Sequence, residues 1–318
     1  MWLTEFLLYL HSYLSMFNTT SSTHSKLTIH MTIHKIIASL FSVAALVLTT
    51  ACSPIKALNA VIPDSGYQLT AGIGYGALPR QKLDVYVPKN SASEATKPLP
   101  VVLFFYGGSW DSGNKGSYKF IGEAMTSQGL IAIIPDYRVY PDVLFPGFMQ
   151  DPAKAAKWAK THAAEFGGDP ERIFLAGHSA GAHIAAMLTL DDEFLKVEDS
   201  KPGDFAGMIG LAGPYDFLPL KSERLKTIFG PEEQRYTSQP INFVTGNNPP
   251  MLLLVGTKDD TVWPKNTYNL AAKIKAAGGS VEVAEFDGYS HIDMAAKLAR
   301  PLRNERLLNT ITSFVRRH

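Results

Sequence analysis

Residues 177–181 read GHSAG and contain the residue types that nucleophilic chemistry needs. The apolar run RIFLAG leads into them, and the apolar helical pattern AHIAAMLTL follows. In a G-x-S-x-G turn between a strand and a helix, the glycines leave room beside the serine, and its hydroxyl lies at the positive end of the helix. This context indicates that Ser179 is a nucleophile and not simply part of an ordinary tight turn.

A nucleophilic serine needs a histidine base and an acid that orients the histidine. Asp259 stands three residues after Gly256, at the end of the apolar run MLLLVG, and Asp260 is the neighbour with which it could be confused. His291 follows the run VEVAEF and a short loop, and it precedes a helical pattern. Among nine histidines, it is the one with the right order and the right kind of loop. The sequence therefore predicts the triad Ser179, Asp259 and His291.

A second glycine motif, YGGSW at residues 106–110, follows the apolar run VVLFF. Glycines in such a loop leave backbone N–H groups open toward the site. We expect the N–H groups of Gly108, Ser109 and Ala180 to form an oxyanion hole. A plain turn is the alternative. The oxyanion-hole interpretation is favoured because the loop lies two strands before the nucleophile turn.

The elements that must position these residues alternate between short apolar runs and amphipathic ones, which indicates an α/β fold with a mostly parallel sheet flanked by helices. Two of the runs, VVLFFY and MLLLVG, are continuously apolar, as expected for strands covered on both faces. The predicted strands are Lys82–Val87, Pro100–Tyr106, Leu130–Pro135, Arg172–Gly177, Gly207–Leu211, Pro250–Gly256 and Val281–Phe286. The predicted helices are Lys119–Ser127, Asp151–Glu165, Ala180–Leu190, Lys265–Ala277 and Ile292–Val315.

Composition narrows the functional classes. The chain has 318 residues, 30 Lys and Arg, 29 Asp and Glu, and a formal net charge of +1. A length of this order fits one large domain or two small ones, and the near-zero charge argues against a nucleic-acid partner. One cysteine cannot form an internal disulfide or a multi-cysteine zinc site, and no His, Asp or Glu cluster has ligand spacing. We expect neither a metal nor another cofactor.

Residues 1–51 are expected to be a leader. The uncharged stretch IIASLFSVAALVL at residues 36–48 follows Lys35, and its length as a helix, about 20 Å, is short for a bilayer core of about 30 Å. It fits the apolar region of a signal peptide, with Met31 as a plausible start of translation. Ala51 and Cys52 resemble a bacterial lipobox, in which the cysteine is lipidated and anchors the protein to the envelope membrane. A plain secretory signal is the alternative.

The chain from Tyr75 to Val315 resembles the α/β-hydrolase superfamily. It is most similar to small carboxylesterases of the hormone-sensitive-lipase, feruloyl-esterase-like and isoprenylcysteine-methylesterase-like groups. The stretches that carry the resemblance are LDVYVP, YGGSW, PDYR, FGGDPERI, GHSAGAH, GTKDDTV and GYSH. With the expected leader at 1–51, this resemblance leaves a tether at 52–74 and implies one α/β-hydrolase domain at 75–318. It also implies hydrolysis of a small-molecule ester through an acyl-enzyme intermediate.

By position, the resemblance gives Ser179, Asp259 and His291 the roles of nucleophile, acid and base. It gives Asp136 and Arg138 the role of bracing the loop of the oxyanion hole, and it makes Asp216 structural. Tyr106 departs from the pattern, because many relatives have histidine before the two glycines.

Three alternatives stay open at the level of sequence. One is an amidase, formamidase or peptidase of the same fold, which would use the same triad. Another is a non-catalytic surface lipoprotein with the hydrolase fold, although such proteins usually lose a triad member. The segment Pro214–Pro249 is either a partial cap over the acyl pocket or a solvated surface excursion.

Overall fold

A computed structural model describes residues 58–89 and 97–318. The predicted leader at 1–51, the start at Met31 and the lipidation site Cys52 lie outside these ranges. The described residues build one eight-stranded sheet with the strand order β1-β2-β4-β3-β5-β6-β7-β8. The strands are β1 (Tyr67–Gly74), β2 (Lys82–Pro88), β3 (Leu99–Phe105), β4 (Ile131–Pro135), β5 (Gly168–His178), β6 (Gly207–Leu211), β7 (Met251–Gly256) and β8 (Val281–Phe286).

The sheet is mostly parallel. Strand β2 pairs antiparallel with both β1 and β4, and every pairing from β4 through β8 is parallel. Strand β7 is buried along its whole length, as its apolar sequence MLLLVG predicts for a strand with helices on both faces. Because parallel strands end at one edge of the sheet, the loops after β3, β5, β7 and β8 meet there.

Helices cover both faces of the sheet. The helices are α1 (Lys119–Thr126), α2 (Gln150–His162), α3 (Ala180–Leu190), α4 (Glu193–Lys196), α5 (Glu223–Ile228), α6 (Lys265–Ala276), α7 (Asp293–Ala296) and α8 (Glu305–Arg317). Helix α3 is buried on all sides except at its last residue, which its composition of Ala, Ile, Met and Leu explains. No helix within residues 58–89 and 97–318 is both long and apolar enough to cross a lipid bilayer.

All seven predicted strands are present, and the structure adds β1. This strand lies inside the range 52–74 that the sequence assigned to a tether, so the sheet begins before residue 75. Buried and exposed side chains do not alternate along this strand. Most of its side chains are exposed because β1 is an edge strand. That exposure removes the apolar pattern that would have identified it.

The predicted helix Ile292–Val315 is wrong as one element. It divides into α7, a short 3₁₀ turn at Arg300–Leu302 and α8. Pro301 occupies the turn, where its missing N–H and fixed φ end a regular helix. Asn304 then begins α8 as its N-cap, because its side chain accepts a hydrogen bond from the backbone N–H of Leu307.

Candidate active site

Ser179 occupies a strained turn between β5 and α3. Its φ of 57° and ψ of −125° lie where side-chain-bearing residues rarely sit. A Cβ on Gly181 would come within 2.0 Å of the carbonyl oxygen of Phe105, and one on Gly177 within 2.3 Å of the Gly181 carbonyl. The two glycines are therefore required by close backbone approach, as the G-x-S-x-G interpretation assumes.

The three residues of the predicted triad form one chain of hydrogen bonds. Nε2 of His291 lies 2.8 Å from Oγ of Ser179, and Nδ1 lies 2.8 Å from Oδ2 of Asp259. A carboxylate accepts, so Nδ1 carries the proton and Nε2 is free to accept the serine proton. The structure thus brings together side chains that are 112 and 32 positions apart in sequence.

Asp259 is the carboxylate that faces the histidine, whereas Asp260 is exposed. The second oxygen of Asp259 accepts backbone hydrogen bonds from Thr261 at 3.0 Å and from Val262 at 2.8 Å. These bonds and its burial fix the carboxylate in one orientation. The geometry therefore shows which of the two adjacent carboxylates contacts His291, a choice that the sequence left open.

The loop after β3, residues 106–113, is called the oxyanion loop below. Its backbone is left-handed at Gly108, Ser109 and Trp110, with φ values of 136°, 52° and 60°. Neither Gly108 nor Ser109 uses its backbone N–H for a hydrogen bond to any residue within 58–89 or 97–318. Ala180 is the first residue of α3, where an N–H has no acceptor inside the helix. All three predicted donors are therefore free to bind an oxyanion.

Tyr106 holds the oxyanion loop through its hydroxyl group. This hydroxyl donates to Oδ1 of Asp136 at 3.0 Å and accepts from the Arg80 guanidinium at 3.2 Å. Arg80 also donates to the carbonyl of Gly113 at 2.6 Å, which ties the far end of the loop to the same cation. Asp136 accepts from the backbone N–H of Lys115 at 2.7 Å as well. Tyr106, at the position where many relatives have histidine, is thus part of a hydrogen-bond network with Arg80 and Asp136.

Arg80 is a bracing residue that the sequence did not reveal, since its partners lie 26 to 57 positions away.

Arg138, which the resemblance placed in this brace, contacts Asp151 instead. Its guanidinium and its backbone N–H donate to that buried carboxylate at 2.8 Å, and the pairing holds the pKa of Asp151 below its usual value. Arg138 therefore stabilises the start of α2 and does not touch the loop.

Two further histidines are buried at the site. Nε2 of His178 donates to the carbonyl of His291 at 3.0 Å, and burial lowers the pKa of His178 to about 3, with the nearby His291 as a second cause. Burial likewise lowers the pKa of His183 to about 4. Both side chains are therefore neutral at ordinary pH, and they support the site rather than exchange protons in it.

Asp216 links the segment after β6 to helix α6. Its backbone N–H donates to the side-chain oxygen of Asn266 at 2.8 Å, and its carboxylate accepts from Asn269 at 2.7 Å. These contacts agree with the structural role that the resemblance implied.

Two cavities meet at Ser109, Ser179 and Thr261. The first has a volume of about 420 Å³ and a mostly apolar lining. The second has a volume of about 330 Å³ and includes Tyr118 and His291 in its wall. The segment of residues 214–249, called the cap segment below, supplies Phe217 and several of its neighbours to the first cavity. Its first part, residues 214–225, is therefore a partial cap over this cavity.

The parallel sheet and the strained serine turn with a histidine and an acid at its carboxyl edge define an α/β-hydrolase. The chain belongs to the BD-FAE family, whose model matches residues 83–274. Within the described residues, no group of three His, Cys, Asp or Glu side chains is arranged to hold a metal ion.

Several curated proteins are similar to this chain. A probable isoprenylcysteine alpha-carbonyl methylesterase of Arabidopsis thaliana is 32% identical over 247 residues, covering 70% of this chain and 50% of the relative. Esterase LipC of Mycobacterium tuberculosis is 31% identical over 236 residues, covering 68% of this chain and 58% of the relative. The chain thus spans 50% and 58% of the length of these two relatives.

Solved structures with the same fold cover 80% of this chain. The apo form of Thermogutta terrifontis esterase 2 has 26% identity and a TM-score of 0.66, with 96% of that chain covered. A truncated carbohydrate esterase from gut microbiota has 21% identity and a TM-score of 0.71, with 98% of that chain covered, and this likeness concerns the fold alone.

Proposed function

We propose that this protein is a serine carboxylesterase that hydrolyses a small or medium acyl ester through an acyl-enzyme intermediate. One observation carries the proposal: the hydrogen-bond chain from Ser179 through His291 to Asp259, with both bonds at 2.8 Å, ends on the serine where two cavities meet. A nucleophile held by a base, and a base held by an acid, is the arrangement that acyl transfer requires.

In the first half of the reaction, Oγ of Ser179 attacks the ester carbonyl carbon and its proton passes to Nε2 of His291. Asp259 keeps the imidazole in the correct tautomer and stabilises the imidazolium that forms. The N–H groups of Gly108, Ser109 and Ala180 bind the oxyanion, and each such donor is worth roughly 2.7–4 kcal/mol in comparable sites. The carbon–oxygen bond to the alcohol then breaks, and His291 gives its proton to the departing alkoxide.

In the second half, water attacks the acyl carbon of the acyl-serine. His291 takes the proton of this water, the bond to Oγ breaks, and the proton returns to Ser179. The products are the carboxylic acid, the alcohol and the restored serine. Since His291 must protonate the alcohol, the alcohol leaves on the side of the second cavity, which His291 lines. The acyl group then occupies the first, apolar cavity under the cap segment.

The names of similar proteins support ester hydrolysis. The relatives include methylesterases and esterases. Thermogutta terrifontis esterase 2, at 25% identity, is known in a form phosphonylated by sarin. An organophosphonate that reacts with such an esterase is a suitable probe for the nucleophile proposed here.

The test combines activity and labelling. Wild-type protein and Ser179→Ala are assayed with 4-nitrophenyl acetate and treated with a fluorophosphonate probe, and the labelled residue is located by mass spectrometry. We expect turnover and a single label on Ser179 in the wild type, with both lost in a folded Ser179→Ala variant. Near-wild-type turnover by that variant would refute the assignment.

The same experiment addresses the rivals. Failure of the wild type to react with the probe would favour a non-catalytic hydrolase-fold protein. Side-by-side rates on an ester, a formamide and an aminoacyl amide separate an esterase from an amidase, formamidase or peptidase, because all of them use the same triad. We expect the ester to be the fastest substrate by far.

We also propose that Cys52 carries a lipid that anchors the protein to a bacterial envelope membrane, either in the periplasm or facing the surface. The support is the lipobox-like sequence around the one cysteine of the chain. Metabolic labelling with an alkyne fatty acid and cell fractionation test the proposal. Labelling that persists in Cys52→Ala, or a soluble and unlabelled wild type, would contradict it.

A further inference from the structure

We propose that the first cavity recognises esters whose acyl chain carries a carboxylate, and that Lys221 and Lys265 bind this carboxylate at the cavity mouth. The inference deepens the esterase function proposed above and rests on it. The two lysines line the same cavity as the nucleophile Ser179 and the oxyanion-hole residue Ser109.

The mouth of this cavity is built around an exposed aromatic ring. Trp263 is 54% exposed, and the ammonium groups of Lys221 and Lys265 lie over its ring, 5.7 and 5.6 Å from the centroid. These distances are within the range of cation–π attraction, which holds both cations at the opening. A substrate that enters therefore meets two positive charges rather than a bare indole face.

Neither lysine has an acidic partner in the part of the chain that the structure describes. Within residues 58–89 and 97–318, no ion pair or hydrogen bond joins the ammonium group of Lys221 or Lys265 to an acidic side chain. The neighbouring basic residues of the cap segment differ, because Arg224 pairs with Asp111 and Lys226 pairs with Glu223. The two cations of the mouth therefore lack the acidic partners that Arg224 and Lys226 have.

The position of Lys265 adds to the positive potential. It is the first residue of α6, a helix of 12 residues with no acidic residue in its first turn. The N-terminus of a helix carries the positive end of its dipole, so a lysine there is placed unfavourably for the fold. An anion bound between Lys265 and Lys221 would offset the unfavourable interaction of Lys265 with the helix dipole. It would also reduce the repulsion between the two cations.

The rest of the lining defines what the anion must be attached to. The same cavity is also lined by Phe217, Leu218, Leu220 and Val262, which suit an apolar chain. A ligand that matches both parts has an ester carbonyl at Ser179, a short apolar chain and a terminal carboxylate. The substrate class is therefore a monoester of a dicarboxylic acid.

The test compares two esters of the same length that differ in charge, monomethyl adipate and methyl adipamate. Release of acid is measured at low salt for the wild type, for the double variant Lys221→Gln with Lys265→Gln, and for Lys273→Gln. The last is a matched control, because Lys273 is an exposed lysine on the same helix α6 that does not line the cavity.

We expect the wild type to prefer the anionic ester by about five- to tenfold in kcat/KM, mainly through KM, because two partly solvated charge contacts contribute that much. The double variant loses this preference because its loss on the anionic ester exceeds any loss on the neutral ester, whereas Lys273→Gln keeps the preference. Raising the salt to about 0.5 M reduces the wild-type preference, because screening weakens exposed pairs.

Two results overturn the inference while leaving the esterase proposal intact: equal or better hydrolysis of the neutral ester by the wild type, or an equal loss on both esters in the double variant. Hydrolysis of 4-nitrophenyl acetate without hydrolysis of monomethyl adipate also overturns the inference alone. Absence of hydrolysis of all three esters refutes the esterase proposal itself, so the two failures are distinguishable.

Discussion

The indole Nε1 of Trp110 donates a hydrogen bond to Nδ1 of His183 across 3.2 Å, and this bond joins the oxyanion loop to helix α3. Because Nδ1 accepts, Nε2 of His183 carries the proton and donates it to the carbonyl of Ser238 at 2.8 Å. Trp110 also stacks on Phe217 of the cap segment, with centroids 5.7 Å apart. One buried histidine thus connects the oxyanion loop, the helix after the nucleophile and the cap segment.

We expect Trp110→Phe to disturb the oxyanion hole. The variant keeps an aromatic ring but leaves Nδ1 of His183 buried without a donor, at a cost of about 1–3 kcal/mol in unfolding free energy. A loop that positions two of the three oxyanion donors then loses one support, so kcat falls by about tenfold with little change in KM. Steady-state kinetics on 4-nitrophenyl acetate and urea denaturation measure the two effects.

Trp158→Phe is the matched control for this variant. Trp158 is also buried, but it packs on His162 of α2, away from the site. We expect its kcat to stay near the wild-type value. An equal loss of kcat in both variants would show that general destabilisation, and not the bond to His183, sets the rate.

The two adjacent carboxylates after β7 give a second prediction. Asp259→Asn keeps the shape of the side chain but removes the charge that fixes the His291 tautomer, and we expect kcat to fall by about 10⁴-fold, as in other triads. Asp260→Asn changes an exposed side chain and is expected to leave kcat within about twofold. The measurement is kcat on the same ester, and the reverse order would assign the acid to Asp260.

The three residues of the proposed triad could be singled out because each carries a local signal in the sequence. Ser179 lies in a strand–turn–helix motif, and Asp259 and His291 follow the predicted strands that correspond to β7 and β8. The Trp110–His183 and Arg80–Tyr106 contacts were not predictable, since their partners are 73 and 26 positions apart and neither pair has a pattern of its own. Local periodicity identifies elements, whereas side-chain networks depend on the packed fold.

The two errors in the fold have the same kind of origin. Strand β1 is an exposed edge strand without an apolar face, so periodicity could not mark it. The helical pattern of apolar residues over 292–315 continues through Pro301, but the backbone cannot continue a regular helix there. In both places the prediction followed apolar periodicity, which is absent from β1 and is not interrupted at Pro301.

The glycine before the nucleophile gives a third prediction. Gly177→Ala places a Cβ within 2.3 Å of the Gly181 carbonyl, so the turn must open. We expect kcat/KM to fall by at least about 100-fold, because a shift of about 1 Å at the nucleophile is enough for such a loss. Gly203→Ala is the control, since a Cβ there has no atom within 4 Å among the described residues. Comparable activity of the two alanine variants would contradict the role of close backbone approach.

The buried, neutral His183 gives a prediction about acid stability. Burial lowers its pKa to about 4 in the folded protein, against 6.5 for an ordinary histidine. Between these values the unfolded chain binds a proton that the folded protein does not, so the free energy of unfolding decreases as pH falls from 6.5 to about 4. The contribution of His183 to this loss is about 3 kcal/mol, and it is absent above pH 6.5.

We expect His183→Gln to lose less stability than the wild type across this window, because a glutamine amide can accept from Trp110 and donate to Ser238 without titrating. Urea denaturation at several pH values between about 4 and 7 measures the difference. His178 titrates in the same direction but is present in both proteins, so it cancels in the comparison. The control is His162→Gln, which removes a partly exposed histidine on α2 and leaves the contacts of His183 with Trp110 and Ser238 in place. Parallel curves for His183→Gln and the wild type would mean that protonation of His183 does not drive the acid sensitivity.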